Sequence, residues 1–435
     1  MGVKDTKDIL QKLGIAALNA MQVRAYDAIT SDDEVILLSP TGSGKTLAFL
    51  LPIIATLDSN LKAVQVMILV PSRELAIQIE QVVREMGSGY KANAVYGGQS
   101  GYKDKIELKH PPTLLIGTLG RIADHIRRDR IDTAHIKMLV LDEFDKSLEV
   151  GFTEEMKEII DSLSAVKKKV LTSATQKVEI PPFVGIRSAT HLNFLKNYSS
   201  QLQLRSVLYL GKDKPETLVR LLKHIGKGNG IIFCNFKESI RTISQTLAEH
   251  QIDHGCFYGG LEQVERERAL IKFRNVTYNL LVATDLAARG IDVPEMDFLI
   301  HYQLPHSEEE FVHRNGRTAR MQSEGMAYIL CEEKAILPSY IKSMEAITLK
   351  AKSEDLSSQW ETLFISGGRK DKISKGDIAG MFFKQGKLSK DELGIIELKQ
   401  DCSFVSVHHS KSEQLIELLN NTRLKKKKVR ISLLP

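Results

Sequence analysis

The sequence predicts an α/β protein with two doubly wound parallel sheets in tandem, followed by a small α+β module. Three observations predict it. Short apolar runs alternate with helix-length stretches from Val35 to Thr175. The same alternation restarts beyond residue 200. Residues 359–435 then follow a different order, β-α-β-β-α-β. A chain of 435 residues exceeds one ordinary core, so several domains are expected. The expected limits are 1–200, 201–348, a polar linker at 349–358, and 359–435.

In the first region, strands are expected at 35–38, 66–70, 113–117, 138–141 and 169–172. Each is a near-continuous apolar run, as in a sheet covered on both faces. Helices are expected between them, for example Glu74–Met86 and Phe152–Leu163. In the second region, strands are expected at Val207–Leu210, Gly230–Cys234, His254–Tyr258, Asn279–Ala283, Phe298–His301 and Met326–Leu330. Helices at Ser239–His250 and Gln263–Phe273 separate some of them. In the tail, strands are expected at Thr362–Ser366, Ile395–Leu398, Phe404–Val407 and Val429–Leu433. Two helices, Gly376–Lys384 and Ser412–Asn421, complete the split βαβ order used by RNA-recognition modules.

Composition narrows the class. Hydrophobic residues make up 43% and charged residues 26%, as in globular proteins. No apolar run approaches the ~20 residues of a membrane span. Cys234, Cys256, Cys331 and Cys402 form no Cys-x-x-Cys pair, so core thiols in a reducing cytoplasm are expected rather than zinc ligands. Charge is uneven. Residues 359–435 hold 15 Lys/Arg against 9 Asp/Glu, while residues 1–358 hold 45 of each sign. The whole positive excess lies in the tail and points to a polyanion.

The chemistry starts behind the first strand. Ser39-Pro-Thr-Gly-Ser-Gly-Lys-Thr46 is a glycine-rich turn opening a helix. Backbone N–H groups of Thr41, Gly42, Ser43 and Gly44 would face the phosphates of a nucleoside triphosphate. Lys45 would reach the β/γ-phosphates, and the Thr46 hydroxyl would hold Mg²⁺. Ser39 stands where the general pattern has glycine. A second apolar run ends in Asp142-Glu143-Phe144-Asp145. At a strand's carboxyl end, Asp142 suits Mg²⁺, mainly through water, and Glu143 suits activation of the attacking water. Taken alone, the first string has as its alternative a glycine turn in some other α/β protein, and the second an acidic surface turn after a strand.

Taken in order, these segments resemble the DEAD-box family of ATP-dependent RNA helicases over about residues 10–345. The phosphate loop, the Asp-Glu-x-Asp string, Pro71–Ala76, Gly97-Gly98, Thr118–Arg121, Ser173-Ala-Thr175, Ile231–Asn235, Gln263, Arg266, Val282–Asp292 and His313–Arg320 carry the resemblance. It implies two RecA-like domains, ATP and Mg²⁺. It also implies roles for further residues. Gln22 would read adenine and Asp292 the ribose. His313 would link the phosphate region to the first domain, and Arg317 and Arg320 would serve as arginine fingers. Ser173, Thr175 and Asp145 would couple hydrolysis to RNA. Arg73, Gly98, Thr118, Arg121, Arg266 and Thr284 would hold the RNA backbone. Domain closure on both ligands would bend the RNA and expel one strand. Phe144, Leu119 and Asn315 depart from the family pattern, Leu18-Asn19 replaces its Pro-Thr, and no aromatic precedes Gln22.

The tail lacks the aromatic string of RNA-recognition modules, and Phe404 is the aromatic of its strand. Residues 363–434 are similar to the C-terminal domain of the DbpA branch of this family. That similarity implies large-subunit ribosomal RNA, a pre-ribosomal particle as partner and a role in ribosome assembly. The run Lys425, Lys426, Lys427 and Lys428 is the candidate electrostatic contact. A monomer is expected. The alternatives are an RNA clamp with a feeble ATPase, and a helicase of messenger RNA decay or cold adaptation.

Overall fold

The structure is a computed structural model. It describes residues 5–98, 101–149, 151–176, 179–195, 201–285, 293, 296–318, 324–333, 335–341, 343–350 and 356–435. The chain forms two compact units that divide at residue 200.

The first unit holds a seven-stranded, wholly parallel sheet of β1 (Glu34–Leu38), β2 (Val66–Val70), β3 (Ala92–Val95), β4 (Leu114–Thr118), β5 (Met138–Leu141), β6 (Lys168–Ser173) and β7 (Thr190–Asn193). The strand order is β3-β4-β2-β5-β6-β1-β7. Alternate residues of each strand face opposite ways. Val35, Leu37, Val66 and Ile68 therefore join one apolar cluster, with Phe49 and Ile79 from covering helices. Ile36, Leu38, Met67 and Leu69 join another, with Ile122 and Ile159. The covering helices are α1 (Thr6–Leu13), α2 (Ala20–Ser31), α3 (Lys45–Ala55), α4 (Arg73–Met86), α5 (Gly101–Leu108), α6 (Leu119–Arg127), α7 (Phe144–Glu149) and α8 (Thr153–Ser162). The expected strands are present. The edge strands β3 and β7 are additions: Ala92-Asn-Ala-Val is short and small, and Thr190-His-Leu-Asn is mostly polar, so neither reads as a buried strand.

The second unit opens with another parallel seven-stranded sheet: β8 (Gln201–Tyr209), β9 (Gly230–Cys234), β10 (Gly255–Phe257), β11 (Leu280–Thr284), β12 (Phe298–His301), β13 (Glu324–Glu332) and β14 (Glu345–Ala346). Its order is β10-β11-β9-β12-β13-β8-β14. Its helices are α9 (Lys214–Ile225), α10 (Lys237–Glu249), α11 (Gln263–Arg274) and α12 (Glu308–Asn315).

The tail follows in the same unit. Strands β15 (Trp360–Ile365), β16 (Leu393–Leu398), β17 (Ser403–His408) and β20 (Ile431–Leu433) form an antiparallel sheet in the order β16-β17-β15-β20. Helices α13 (Lys375–Lys384) and α14 (Ser412–Leu419) cover one face. The β-α-β-β-α-β order holds, with a small hairpin of β18 (Arg423–Leu424) and β19 (Lys427–Lys428) inserted before the last strand.

Candidate nucleotide site and nucleic-acid interface

In the first sheet, β1 lies beside β6, and β6 beside β5. This order brings the ends of three strands to one carboxyl edge, where α/β sheets hold their ligands. The phosphate loop leaves β1 and the acidic string leaves β5. Ser173 ends β6, and its carbonyl accepts a hydrogen bond from the Ser39 N–H at 3.0 Å.

The phosphate loop turns through Gly42 at φ 80° and Gly44 at φ 86°, a region that glycine enters without strain. Gly44 caps α3, so Lys45 and Thr46 open that helix. The serine that replaces glycine has a role: Ser39 Oγ donates to Ser43 Oγ at 2.7 Å and ties the loop across its base. Lys45 Nζ donates to the carbonyls of Ser39 at 2.6 Å and Pro40 at 2.8 Å. Gln22 lies against this loop, and its amide Nε2 donates to the Gly44 carbonyl at 3.3 Å. A Cβ on Gly44 would stand 2.5 Å from that nitrogen. Asn19 caps α2 in a reciprocal box with Gln22, and its Nδ2 donates to the Ser43 carbonyl at 3.2 Å. Asn19 thus supports the phosphate loop, a role the residue's sequence context left unread. An Asn followed three residues later by Gln is the capping signature that marks it.

Asp142 is 3% exposed. Burial and the neighbouring Glu143 charge push its carboxyl up to about 6, against the opposing Thr172 hydrogen bond and Lys45 charge. The Thr172 hydroxyl donates to Asp142 Oδ1, which also accepts from the Glu143 N–H at 3.2 Å. Burial disfavours the charge of this carboxylate, and a divalent cation beside it would offset that cost. Together with the Thr46 hydroxyl the carboxylate makes a hard oxygen set, so these residues fit Mg²⁺. Glu143 sits at φ 48°, a left-handed conformation uncommon for a residue with a side chain. Asp145 is fully buried and accepts from Thr175 Oγ1 at 2.9 Å. The Ser173 hydroxyl donates to the Thr175 carbonyl at 2.9 Å and accepts from its N–H at 2.9 Å. The acidic string and the Ser-Ala-Thr string are therefore one hydrogen-bonded assembly. Phe144 and Leu119, both departures from the family pattern, are buried in the same apolar cluster.

The four expected RNA residues of this unit occupy defined surroundings. Gly98 sits at φ 86°, and a Cβ there would stand 2.6 Å from Arg73 Nη1. The glycine doublet thus lets the Arg73 guanidinium approach the backbone. Thr118 ends β4, and Arg121 follows it on α6. Arg121 Nε donates to Asp104 Oδ2 at 2.8 Å, and His125 bonds the same oxygen at 3.0 Å.

In the second unit, His313 and Arg317 are buried. Arg314, between them, is 1% exposed and ties the local motifs together. Its guanidinium donates to both oxygens of Asp285, to Asn235 Oδ1 at 2.8 Å and to the Gln303 carbonyl, and lies over the Phe233 ring. Asn315 has a partner as well: its Oδ1 is 3.0 Å from Nε2 of the buried His301. Burial and the Arg314 charge push His301 down to about 3, opposed by the Asn315 bond. Thr284 ends β11, and the Arg266 guanidinium lies 4.9 Å from the Phe257 ring centroid. Asp292 and Arg320 lie outside the described residues.

The tail lysines divide. Lys425 pairs with Asp377 at 2.8 Å and Lys427 with Asp371 at 2.7 Å, while Lys426 and Lys428 are exposed. Two of the four thus hold the hairpin to the domain.

The comparisons follow this division of the chain. Residues 19–181 match the DEAD/DEAH box helicase model, residues 213–322 the helicase conserved C-terminal domain, and residues 362–433 the DbpA RNA binding domain. The chain is 30% identical to the ATP-dependent RNA helicase DbpA of Bacillus subtilis, covering 97% of this chain and 96% of that protein. It is also 30% identical to the DbpA of Escherichia coli, covering 98% and 96%. Among solved structures, yeast Dbp5 bound to RNA and ADP BeF3 superposes with a TM-score of 0.70 at 25% identity, covering 79% of this chain and 94% of that one. With its two parallel sheets, phosphate loop, Asp-Glu-Phe-Asp string and tail module, the chain belongs to the DEAD-box ATP-dependent RNA helicases of the DbpA type, and is an RNA-dependent ATPase.

Proposed function

We propose that this helicase remodels short duplexes of large-subunit (23S) ribosomal RNA during ribosome assembly in the cytoplasm, acting as a monomer on the pre-ribosomal particle. The match of residues 362–433 to a DbpA RNA binding domain carries this reading. The confinement of the net positive charge to the tail supports it.

The residue roles follow from the chemistry of phosphoryl transfer, which needs positioning and charge stabilisation more than covalent steps. Thr41, Gly42, Ser43 and Gly44 cradle the phosphates through their backbone, and Lys45 leaves its loop carbonyls to bind the β/γ-phosphates. Thr46 and Asp142 would hold Mg²⁺, mainly through water, and the ion would supply charge to neutralise the phosphates. Glu143 orients the attacking water and takes its proton. Arg317 and Arg320 offset charge on the transferring phosphoryl group, His313 links the phosphate region to the first domain, and Asp292 contacts the ribose. Gln22 reads adenine by exchanging its Gly44 bond for the base. Asp145, Ser173 and Thr175 relay the state of the site to the RNA contacts Arg73, Gly98, Thr118, Arg121, Arg266 and Thr284. Those contacts go to phosphate and sugar and read little sequence. Lys426 and Lys428 of the tail, more than Lys425 and Lys427, offer unpaired charge to RNA.

The test is the steady-state ATPase rate without RNA, with large-subunit ribosomal RNA, and with unrelated RNA of equal mass. Stronger stimulation by the ribosomal RNA is expected. Equal stimulation by both would remove the ribosomal target and leave the helicase. No stimulation by either would favour the clamp.

A further inference from the structure

The two central strands of the tail sheet, β15 and β17, are covered on both faces. Leu363, Ile365, Val405 and Val407 face the tail's own helices. Thr362, Phe364, Phe404 and Ser406 alternate with them and face the other way, paired as Thr362 with Ser406 and Phe364 with Phe404. This second face is covered by the end of α11 and the turn after it. Phe404 and Leu434 cluster with Ile271 of α11, joined by Phe364 and Cys402. Thr277 Oγ1 and Thr362 Oγ1 are 2.7 Å apart, fully out of water. Ser406 Oγ donates to the Asn275 carbonyl at 2.8 Å, and Ser358 Oγ to the Val276 carbonyl at 2.5 Å. Arg274 grips Glu397 of β16 with two bonds, at 2.7 and 3.0 Å.

The turn that makes these contacts is strained. Val276 sits at φ 62°, an outlier for a β-branched residue. Such strain persists only where the surroundings over-determine the backbone. Phe404, the aromatic of its strand, is 7% exposed in this seam, so its face is committed to protein.

The same helix carries Arg266 in its first turn. Arg266 and Arg274 are eight residues apart on one uninterrupted helix, a rise of about 12 Å. We propose that α11 is a strut that fixes the distance between RNA held by the tail and the RNA path at Arg266, with Arg274 and Glu397 as positioning residues that set where along an RNA strands are separated. This rests on the reading of Arg266 and the tail as RNA contacts. A tail on a free linker would deliver the helicase to any duplex within reach. A tail clamped to α11 favours one offset.

The full-length protein tests this with a series of RNAs. Each joins a large-subunit ribosomal RNA fragment to a short duplex through a single-stranded spacer of increasing length, and a parallel series replaces the fragment with an unrelated hairpin. The wild type should separate strands fastest at one spacer length. Arg274→Glu and Glu397→Arg should each flatten that profile several-fold at the peak. The double variant, with the pair reversed, should restore it. ATPase stimulated by polyuridine RNA should be unchanged in all three, and thermal denaturation identifies a variant that fails to fold. A restored profile in the double variant excludes a merely structural loss. A wild-type maximum in both series supports the strut while removing the ribosomal target. A flat wild-type profile in both series, or single variants that keep the maximum, would overturn the strut.

Discussion

Glu143 and Asp142 are adjacent, yet their surroundings differ in a way that suits the separate roles proposed for them. Asp142 is buried against Thr172, while Glu143 is held at a left-handed φ by the turn that follows β5. Glu143→Gln keeps the shape and removes the base. The variant should bind ATP and RNA normally and hydrolyse ATP at least about 100-fold more slowly, read in single-turnover assays. Normal turnover would contradict the assignment of the base. His301 gives a second residue-scale prediction. Its folded form refuses a proton that the unfolded chain accepts below the ordinary value of 6.5. The second domain should therefore be fully stable above that pH and lose roughly 1 kcal/mol per pH unit as pH falls toward 4. Denaturation midpoints across pH should show this slope in the wild type and not in His301→Gln. Lys45, Asp142 and Glu143 are legible in the sequence because their chemistry sits in contiguous strings. Asn19, Thr172 and Arg314 are not, because their roles arise from partners brought near only by folding.

At the scale of elements, the phosphate loop, Pro71–Ala76, Thr118–Arg121 and the acidic string each sit where a strand ends and a helix begins. Among the elements proposed to face RNA in the first unit, Gly98 lies in close approach to the Arg73 guanidinium. Gly98→Ala adds a Cβ to a left-handed residue and pushes on that guanidinium. The strain costs about 1–2 kcal/mol, so the RNA concentration for half-maximal ATPase should rise about tenfold with little change in ATP affinity. An unchanged RNA requirement would remove Gly98 from the RNA path. Central strands were legible because they are covered on both faces and read as apolar runs. The edge strands β3, β7 and β14 were not: β3 is short and built of small residues, β7 is mostly polar, and β14 spans two residues. The β18–β19 hairpin hides inside the lysine run. Its Lys425 and Lys427 pair with Asp377 and Asp371, and a run of identical residues does not announce partners.

For the whole molecule, two contributions to RNA affinity should separate by salt. On the proposed mechanism the core contacts form with ATP, whereas the tail's exposed lysines would act through charge alone. Lys426→Ala with Lys428→Ala should lower the slope of log affinity against log salt by about 1–2 in structured RNA. ATP-dependent binding of polyuridine RNA should stay as it was. An unchanged slope would place the tail's RNA surface elsewhere. The tandem sheets and the tail order were legible from alternation of runs. The seam between α11 and the tail sheet was not, because it joins residues 271–277 to residues 358–434 through side chains that look ordinary in each segment.

The strand order of the first sheet has a consequence for synthesis. β1, which carries the phosphate loop, pairs only with β6 and β7, and its register runs from Glu34 against Lys169. Its neighbours are therefore made more than a hundred residues after it. Until they emerge, β1 is an unpaired apolar strand on a nascent chain, exposed to wrong partners. The nucleotide site is thus among the last parts of its domain to be completed during translation. Ribosome-bound chains stopped before β6 should fail to retain an immobilised ATP analogue, and those extended past β7 should hold it.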